Sequence, residues 1–275
     1  MANYTAADIK ALRESTGAGM LDVKKALDEA DGDRAKATEI LRVKGLKGVT
    51  KREGRTTSNG LVAAQAGDGV GTLVEVLCET DFVAKGETFQ ALAARVLDAA
   101  VTTGAEDTSS LLAEQVDGRP LQDVLDETGA TMGEKILVRR IGRVSGESVS
   151  SYMHRTNKDL PPQVGVLVAT DKAGAEVARD VAMHIAAFTP TFLSRDEVPA
   201  DQVANERRIA EETAKNEGKP EKAIEKIVEG RLNGFFKENC LLDQAFAKDP
   251  KKSVGKVVEE AGGTITGFVR FRVGS

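Results

Sequence analysis

The chain has 275 residues, of which 41% are hydrophobic, 29% charged and only 4% aromatic. That length suits one large domain or two to three small ones, and the hydrophobic share excludes a wholly disordered chain. Nine Phe, two Tyr and no Trp leave few rings to stack on bases or sugars, and a net charge of −5 argues against a polyanion binder.

Residues 1–46 read as a helical unit. Thr5 precedes Ala6 to Arg13 with Asp8 in the first turn, an N-cap backed by an acid. Gly17 and Gly19 break this helix. A second runs from Leu21 to Ala30, the Asp31-Gly32-Asp33 turn follows, and a third is expected to stop at Gly45. Three short helices joined by Gly turns resemble a ubiquitin-associated-type bundle, which presents a small protein-binding face. Residues 47–59 carry Lys47, Lys51, Arg52 and Arg55 beside Gly48 and Gly54, the composition of a mobile basic linker.

From residue 60 the chain repeats itself. Val70-Gly71-Thr72-Leu73-Val74-Glu75-Val76 has a partner in Val164-Gly165-Val166-Leu167-Val168-Ala169, and both strands run to a Thr-Asp pair, Thr80-Asp81 and Thr170-Asp171. An apolar helix follows each, from Phe89 to Val101 and from Val177 to Phe188. Val124 to Gly129 then matches Val257 to Gly262, each leading into a closing strand at 136–144 or 267–273. Two matches in the same order make chance similarity a poor explanation. The second copy holds about 39 extra residues, placed at 198–237, with helical apolar spacing on a charged background. Gly218-Lys219-Pro220 divides that insertion, so it reads as an antiparallel helical hairpin. The expected fold class is α+β: a helical unit at 1–46, a linker at 47–59, and core subdomains at 60–146 and 147–275, the second carrying the hairpin.

Enzyme chemistry is poorly supplied. Cys78 and Cys240 are too few for a disulfide scaffold or a Cys-based zinc site, and His154 and His184 add almost no ligand set. Gly67-Asp68-Gly69 lies between two strands and lacks the phosphate-loop Lys-Ser/Thr, so it reads as a hairpin turn. Cys78 has no nearby cation to lower its thiol pKa and reads as buried and structural. No cofactor is expected. No signal-like or membrane-length apolar segment is evident, so the setting is expected to be cytoplasmic. One segment breaks the pattern: Cys78-Glu79-Thr80-Asp81-Phe82-Val83-Ala84 puts an acid and a large ring where turn chemistry favours a polar residue or Gly. On composition alone Phe82 is better read as a lid folded on its own core than as an exposed probe.

The segments Thr16-Gly17-Ala18-Gly19-Met20 with Asp22 to Leu27, Cys78 to Ala84, Ala182 to Ala187 and Gly267 to Phe271 together resemble the elongation factor Ts family, in order and with compatible spacing. The resemblance implies a non-enzymatic guanine nucleotide exchange factor for the GTPase elongation factor Tu. It implies that Thr80, Asp81, Phe82 and Val83 insert near the GTPase's magnesium site, with Phe82 as wedge. Arg13, Met20, Met183 and His184 are further implied contacts with the same partner. His184, among Ala and Ile, is otherwise read as a satisfied core residue. Asp81 acts either by repelling phosphate or by capping the following turn. Many members continue past the closing strand into a C-terminal helix, whereas this sequence ends at Val273-Gly274-Ser275. Membrane and direct nucleic-acid partners are not expected, and homodimerisation is left open. The competing reading is a ribosome- or RNA-binding adaptor using the basic linker with Arg139, Arg140, Arg143, Arg270 and Arg272.

Overall fold

The computed structural model describes residues 3–16, 18–67 and 69–275, with the side chains of 45–51 outside the description. Gly17 and Asp68, on which two of the expected turns rest, lie outside the described residues. The protein is α+β, with helices at the N-terminus and several small sheets after them.

The first helices are α1 (Ala6–Thr16), α2 (Met20–Glu29) and α3 (Arg34–Arg52). Thr5 and Asp8 cap α1 reciprocally: Asp8 Oδ2 accepts from Thr5 N–H at 2.8 Å, and Thr5 Oγ1 accepts from Asp8 N–H at 3.2 Å. Leu12, Val23, Leu27, Ala37 and Leu41 form the unit's own small core. The expected stop at Gly45 does not occur, because α3 continues through both glycines to Arg52, into the stretch read as linker. A glycine costs about 1 kcal/mol in a helix interior. Here α3 lies along a later helix, Leu121–Met132, and that docking outweighs the local cost.

Two runs of elements with the same opening and closing follow. The first is β1 (Asn59–Gly67), β2 (Val70–Cys78), α4 (Asp81–Lys85), α5 (Glu87–Thr103), α6 (Thr108–Ala113), the two-residue strands β3 (Gln115–Val116) and β4 (Arg119–Pro120), α7 (Leu121–Met132) and β5 (Leu137–Ser145). The second is β6 (Ser148–His154), β7 (Val164–Thr170), α8 (Ala175–Phe188), α9 (Ala200–Asn216), α10 (Glu221–Asn239), β8 (Ala245–Phe246), β9 (Asp249–Ser253), α11 (Val254–Glu260) and β10 (Ile265–Arg272). In each, the second strand is central: the antiparallel sheets run β1-β2-β5 and β10-β7-β6.

The sheets pack on each other through one face, where Val62, Leu73, Leu167 and Phe271 meet. Their opposite faces are covered by helices. Val74, Val76 and Cys78 meet Phe89, Leu92 and Val96 of α5, while Val166 and Val168 meet Val181 and Ile185 of α8. The central strands are therefore buried on both sides, which is why they read as continuous apolar runs rather than alternating ones. Close approach of the sheets requires glycine. A Cβ on Gly71 would lie 2.7 Å from Val149 Cγ1, and one on Gly165 would lie 2.7 Å from Leu73 Cδ1. The 198–237 insertion is the pair α9–α10, which packs through Ala210, Val228 and Leu232 and turns at Gly218, where φ is +69°.

Candidate functional site

The segment singled out at 80–83 sits where β2 leaves the sheet. β2 and β5 pair as far as Leu77 opposite Leu137, and beyond that the two chains diverge. Thr80 is the N-cap of α4, its backbone extended and its Oγ1 accepting from Val83 N–H at 3.3 Å. Thr80, and not Asp81, is thus the cap of this turn. Asp81 instead pairs with Lys85 one turn on, at 2.7 Å, and that hydrogen bond holds its carboxyl below the usual aspartate range. Ala84 is buried and Val83 half-buried against the α5 core, so they anchor the short helix.

Phe82 is not a lid. Phe82 is 83% exposed, the most open of the large apolar residues described, and the Lys85 ammonium lies 5.9 Å from its ring centroid. The misreading has a physical cause. Positions 83 and 84 already fill the space over Phe89 and the strand, so helical geometry turns 82 outward.

The base of this element is held by residues that sequence reasoning did not single out. Glu134 Oε2 accepts from the backbone N–H groups of Glu79 and Thr80, both at 3.0 Å, and its Oε1 accepts the Thr80 hydroxyl. Glu79 returns the contact, its Oε1 accepting from Lys135 N–H at 2.6 Å. Arg55 Nη1 reaches both Glu79 carboxylate oxygens at 3.2 and 3.3 Å, and Asn59 Nδ2 donates to the Glu79 carbonyl at 2.8 Å. Cys78 lies directly beneath, its thiol donating to the Thr80 carbonyl at 3.2 Å and pushed up to about 12 by burial. It is a structural cysteine with no thiolate at neutral pH.

The other expected contacts fall on two further elements. Arg13 and Met20 line one open groove of about 660 Å³ with Ala6, Ile9, Lys10 and Glu14, and the neighbouring Leu21 is also exposed. Met183 on α8 is exposed, but His184 is only 1% exposed. Its Nδ1 accepts from Ala247 N–H at 3.2 Å, which leaves the proton on Nε2 to donate to Gln244 Oε1 at 2.9 Å. Burial pushes its pKa down, against the opposing pull of the Gln244 bond. Phe188 stacks on the ring at 4.6 Å and 8°, and is itself half exposed. His184 is therefore a satisfied core histidine in this conformation. Met183 and Phe188 are the apolar side chains this face exposes, while His184, expected as a contact, lies buried behind the Phe188 ring. No sequence signal marks Phe188, because a ring at a helix end is as often core as surface.

Among the described residues no group of three His, Cys, Asp or Glu side chains converges to hold a metal, and no helix is long and apolar enough to cross a membrane. What the site offers among the described residues is a projecting ring on a hydrogen-bonded base and two apolar patches flanked by charge. Such surfaces act by binding. The family model described as Elongation factor TS matches residues 79–275, beginning at the pivot of the projecting element. The elongation factor Ts of Beutenbergia cavernae is 64% identical over the whole of both chains, and that of Pseudarthrobacter chlorophenolicus is 64% identical over the same full coverage. That of Kineococcus radiotolerans is 59% identical, again across both chains. With a family match over most of its length and these full-length likenesses, the chain belongs to the elongation factor Ts family.

Proposed function

We propose that the chain is the guanine nucleotide exchange factor of elongation factor Tu, binding its GDP form and promoting GDP release during protein synthesis. The observation that carries this is the exposed Phe82 ring on a capped, anchored turn. An aromatic ring held in water at that cost has its use in a partner's pocket. Carried from the family resemblance, the pocket lies beside the GTPase's magnesium ion, which bridges protein and nucleotide phosphates. Displacing that coordination removes much of the GDP affinity. Thr80, Asp81, Phe82 and Val83 form the inserting element, with Thr80 as cap and Asp81 fixed on Lys85. The Arg13–Met20 groove and the Met183–Phe188 face are the auxiliary contacts. In the same reading the first helices are a ubiquitin-associated-like domain, the two sheet units are duplicated subdomains, α9–α10 is a coiled-coil hairpin, and the setting is the cytoplasm.

The RNA-adaptor alternative loses support from what three of its five arginines do, although Arg139 and Arg272 are exposed. Arg140 binds buried Glu75 and covers Phe271 at 4.4 Å, Arg143 donates to the Ala100 carbonyl at 3.1 Å, and half-buried Arg270 donates to the Ala186 carbonyl at 3.3 Å. These guanidiniums fasten the fold and are not free to track a phosphate backbone. The test is release of fluorescent GDP from elongation factor Tu on mixing with catalytic amounts of the protein. Faster release supports the proposal, and an unchanged rate at saturating protein refutes it.

A further inference from the structure

We infer that Glu134 is a positioning residue for nucleotide exchange: its carboxylate fixes the direction in which the 80–83 element projects. This deepens the proposed function and rests on it. A helix of five residues cannot fix its own orientation, since forming a first turn orders many dihedrals for one hydrogen bond. The direction of α4 must be set at its base. At that base the β2–β5 ladder has ended, its last pair being Leu77 and Leu137. A continued ladder would satisfy the next backbone groups, but the chains diverge and side chains take its place. Glu134 accepts three donors there: Glu79 N–H, Thr80 N–H and the Thr80 hydroxyl. Because the Thr80 hydroxyl gives its proton to Glu134, its oxygen is aimed to accept Val83 N–H, and the cap of α4 inherits its geometry from Glu134.

The clasp is reciprocal. Glu79 accepts Lys135 N–H at 2.6 Å, so each strand end donates a backbone group to the other's carboxylate. Gly133, with φ +75°, turns the chain out of α7 so that Glu134 faces back toward the pivot. Arg55 pairs with the Glu79 carboxylate at 3.2 Å and donates to the Gly133 carbonyl at 3.4 Å, tying the two chain ends together. Glu134 is half-buried beneath the element while Phe82 points to solvent from its top. The carboxylate therefore acts through Thr80 and the pivot amides.

The experiment compares wild type, Glu134→Gln and Glu134→Ala by GDP release from elongation factor Tu against factor concentration, and by hydrogen–deuterium exchange of the free proteins. Removing the carboxylate loosens the aim of Phe82, so Glu134→Ala should lower the maximal release rate about tenfold while the half-saturating concentration moves less than about threefold. Amide exchange at residues 79–80 should rise by about tenfold or more without a matching rise in β2 or α5. Glu134→Gln keeps one oxygen for the two amides but offers Thr80 a donor in place of an acceptor, so it should fall between. A uniform rise in amide exchange, or a loss seen only as weaker binding, would make Glu134 merely structural and overturn the inference. So would an alanine variant with a full maximal rate. If wild type itself leaves GDP release unchanged, the exchange reading fails and the role with it; an active wild type with an unaffected variant sinks the Glu134 role alone.

Discussion

Replacing Phe82 by alanine separates folding from exchange more cleanly than any other single change. The ring is 83% exposed in the free protein, so its removal opens no cavity and should leave the thermal midpoint unmoved, as for other surface substitutions. Lys85 lies 5.9 Å from the ring centroid, a cation–π contact weak at such exposure. In a partner pocket the same ring passes from water to full burial, which is worth about 2–3 kcal/mol. At a factor of ten per ~1.4 kcal/mol, losing it should slow maximal GDP release by about 30- to 150-fold. The loss should fall on the maximal rate more than on half-saturation, because the ring is engaged most fully once the nucleotide site is disturbed. Phe82→Leu, which keeps most of the apolar area, should be intermediate. Stopped-flow release of fluorescent GDP across a range of factor concentrations reads both quantities. An alanine variant with an intact maximal rate refutes the wedge. One with a clearly lowered thermal midpoint refutes the claim that the ring is idle in the fold.

Glu75 is fully buried at the seam of the two sheets, accepting from Arg140 and from Gly274 N–H at 3.3 Å. Glu75→Ala removes a buried acceptor from Arg140, whose guanidinium is one third exposed and still bonds the Arg272 carbonyl at 3.0 Å, so it should cost about 1.5–3 kcal/mol in chemical denaturation; a loss below ~0.5 kcal/mol would show the pair to be dispensable. Burial raises the thiols of Cys78 and Cys240 to about 12 and about 11, so both stay protonated at pH 8. Iodoacetamide should then label them only after denaturation, and rapid labelling of the native protein would contradict that environment. His184 has a folded pKa below its ordinary 6.5, so the unfolded chain binds the proton more readily. Its contribution is complete above about pH 6.5 and is lost as pH falls below it, so the denaturation midpoint should drop from pH 7.5 to 5.5 and His184→Gln should flatten that slope; parallel slopes would remove His184 as the cause.

Periodicity made the long elements legible. The apolar runs at 70–76 and 164–169 are the two central strands, and the helical spacing across 198–237 is α9 and α10. It could not reveal α4, or the paired strands β3–β4 and β8–β9, because these are shorter than one repeat of the pattern that would betray them. Gly45 predicted a break that docking on α7 overrides, a tertiary effect no local signal carries. Thr80 to Val83 stood out as a segment at odds with turn chemistry, yet its exposure was misjudged because burial depends on what else fills the space. Glu134 was silent for a plainer reason. It lies 54 positions from Thr80, and a single acid after a helix-ending Gly has no local distinction.

The division of labour around α4 follows from what insertion requires. A flexible loop carrying Phe82 would lose its conformational freedom on docking, at about 1–2 kcal/mol for each residue ordered. Summed over residues 80–83, that loss would exceed what the ring gains by burial. Here the ordering is already done: Thr80 caps the turn, Ala84 is buried in the α5 core, and Glu79 and Glu134 clasp the pivot. The free protein tolerates the Phe82 ring in water, and on the proposed function its burial would be available to the complex almost undiminished. Linkage then sets the consequence for the GTPase. Whatever free energy the factor uses to weaken GDP, GDP must use to weaken the factor, so tight grip on the nucleotide-free form and easy release on nucleotide binding are one quantity. On the function proposed above, a preorganised wedge enlarges that quantity without strengthening contacts made equally in both states, and changes at the Thr80 pivot should then alter exchange more than binding.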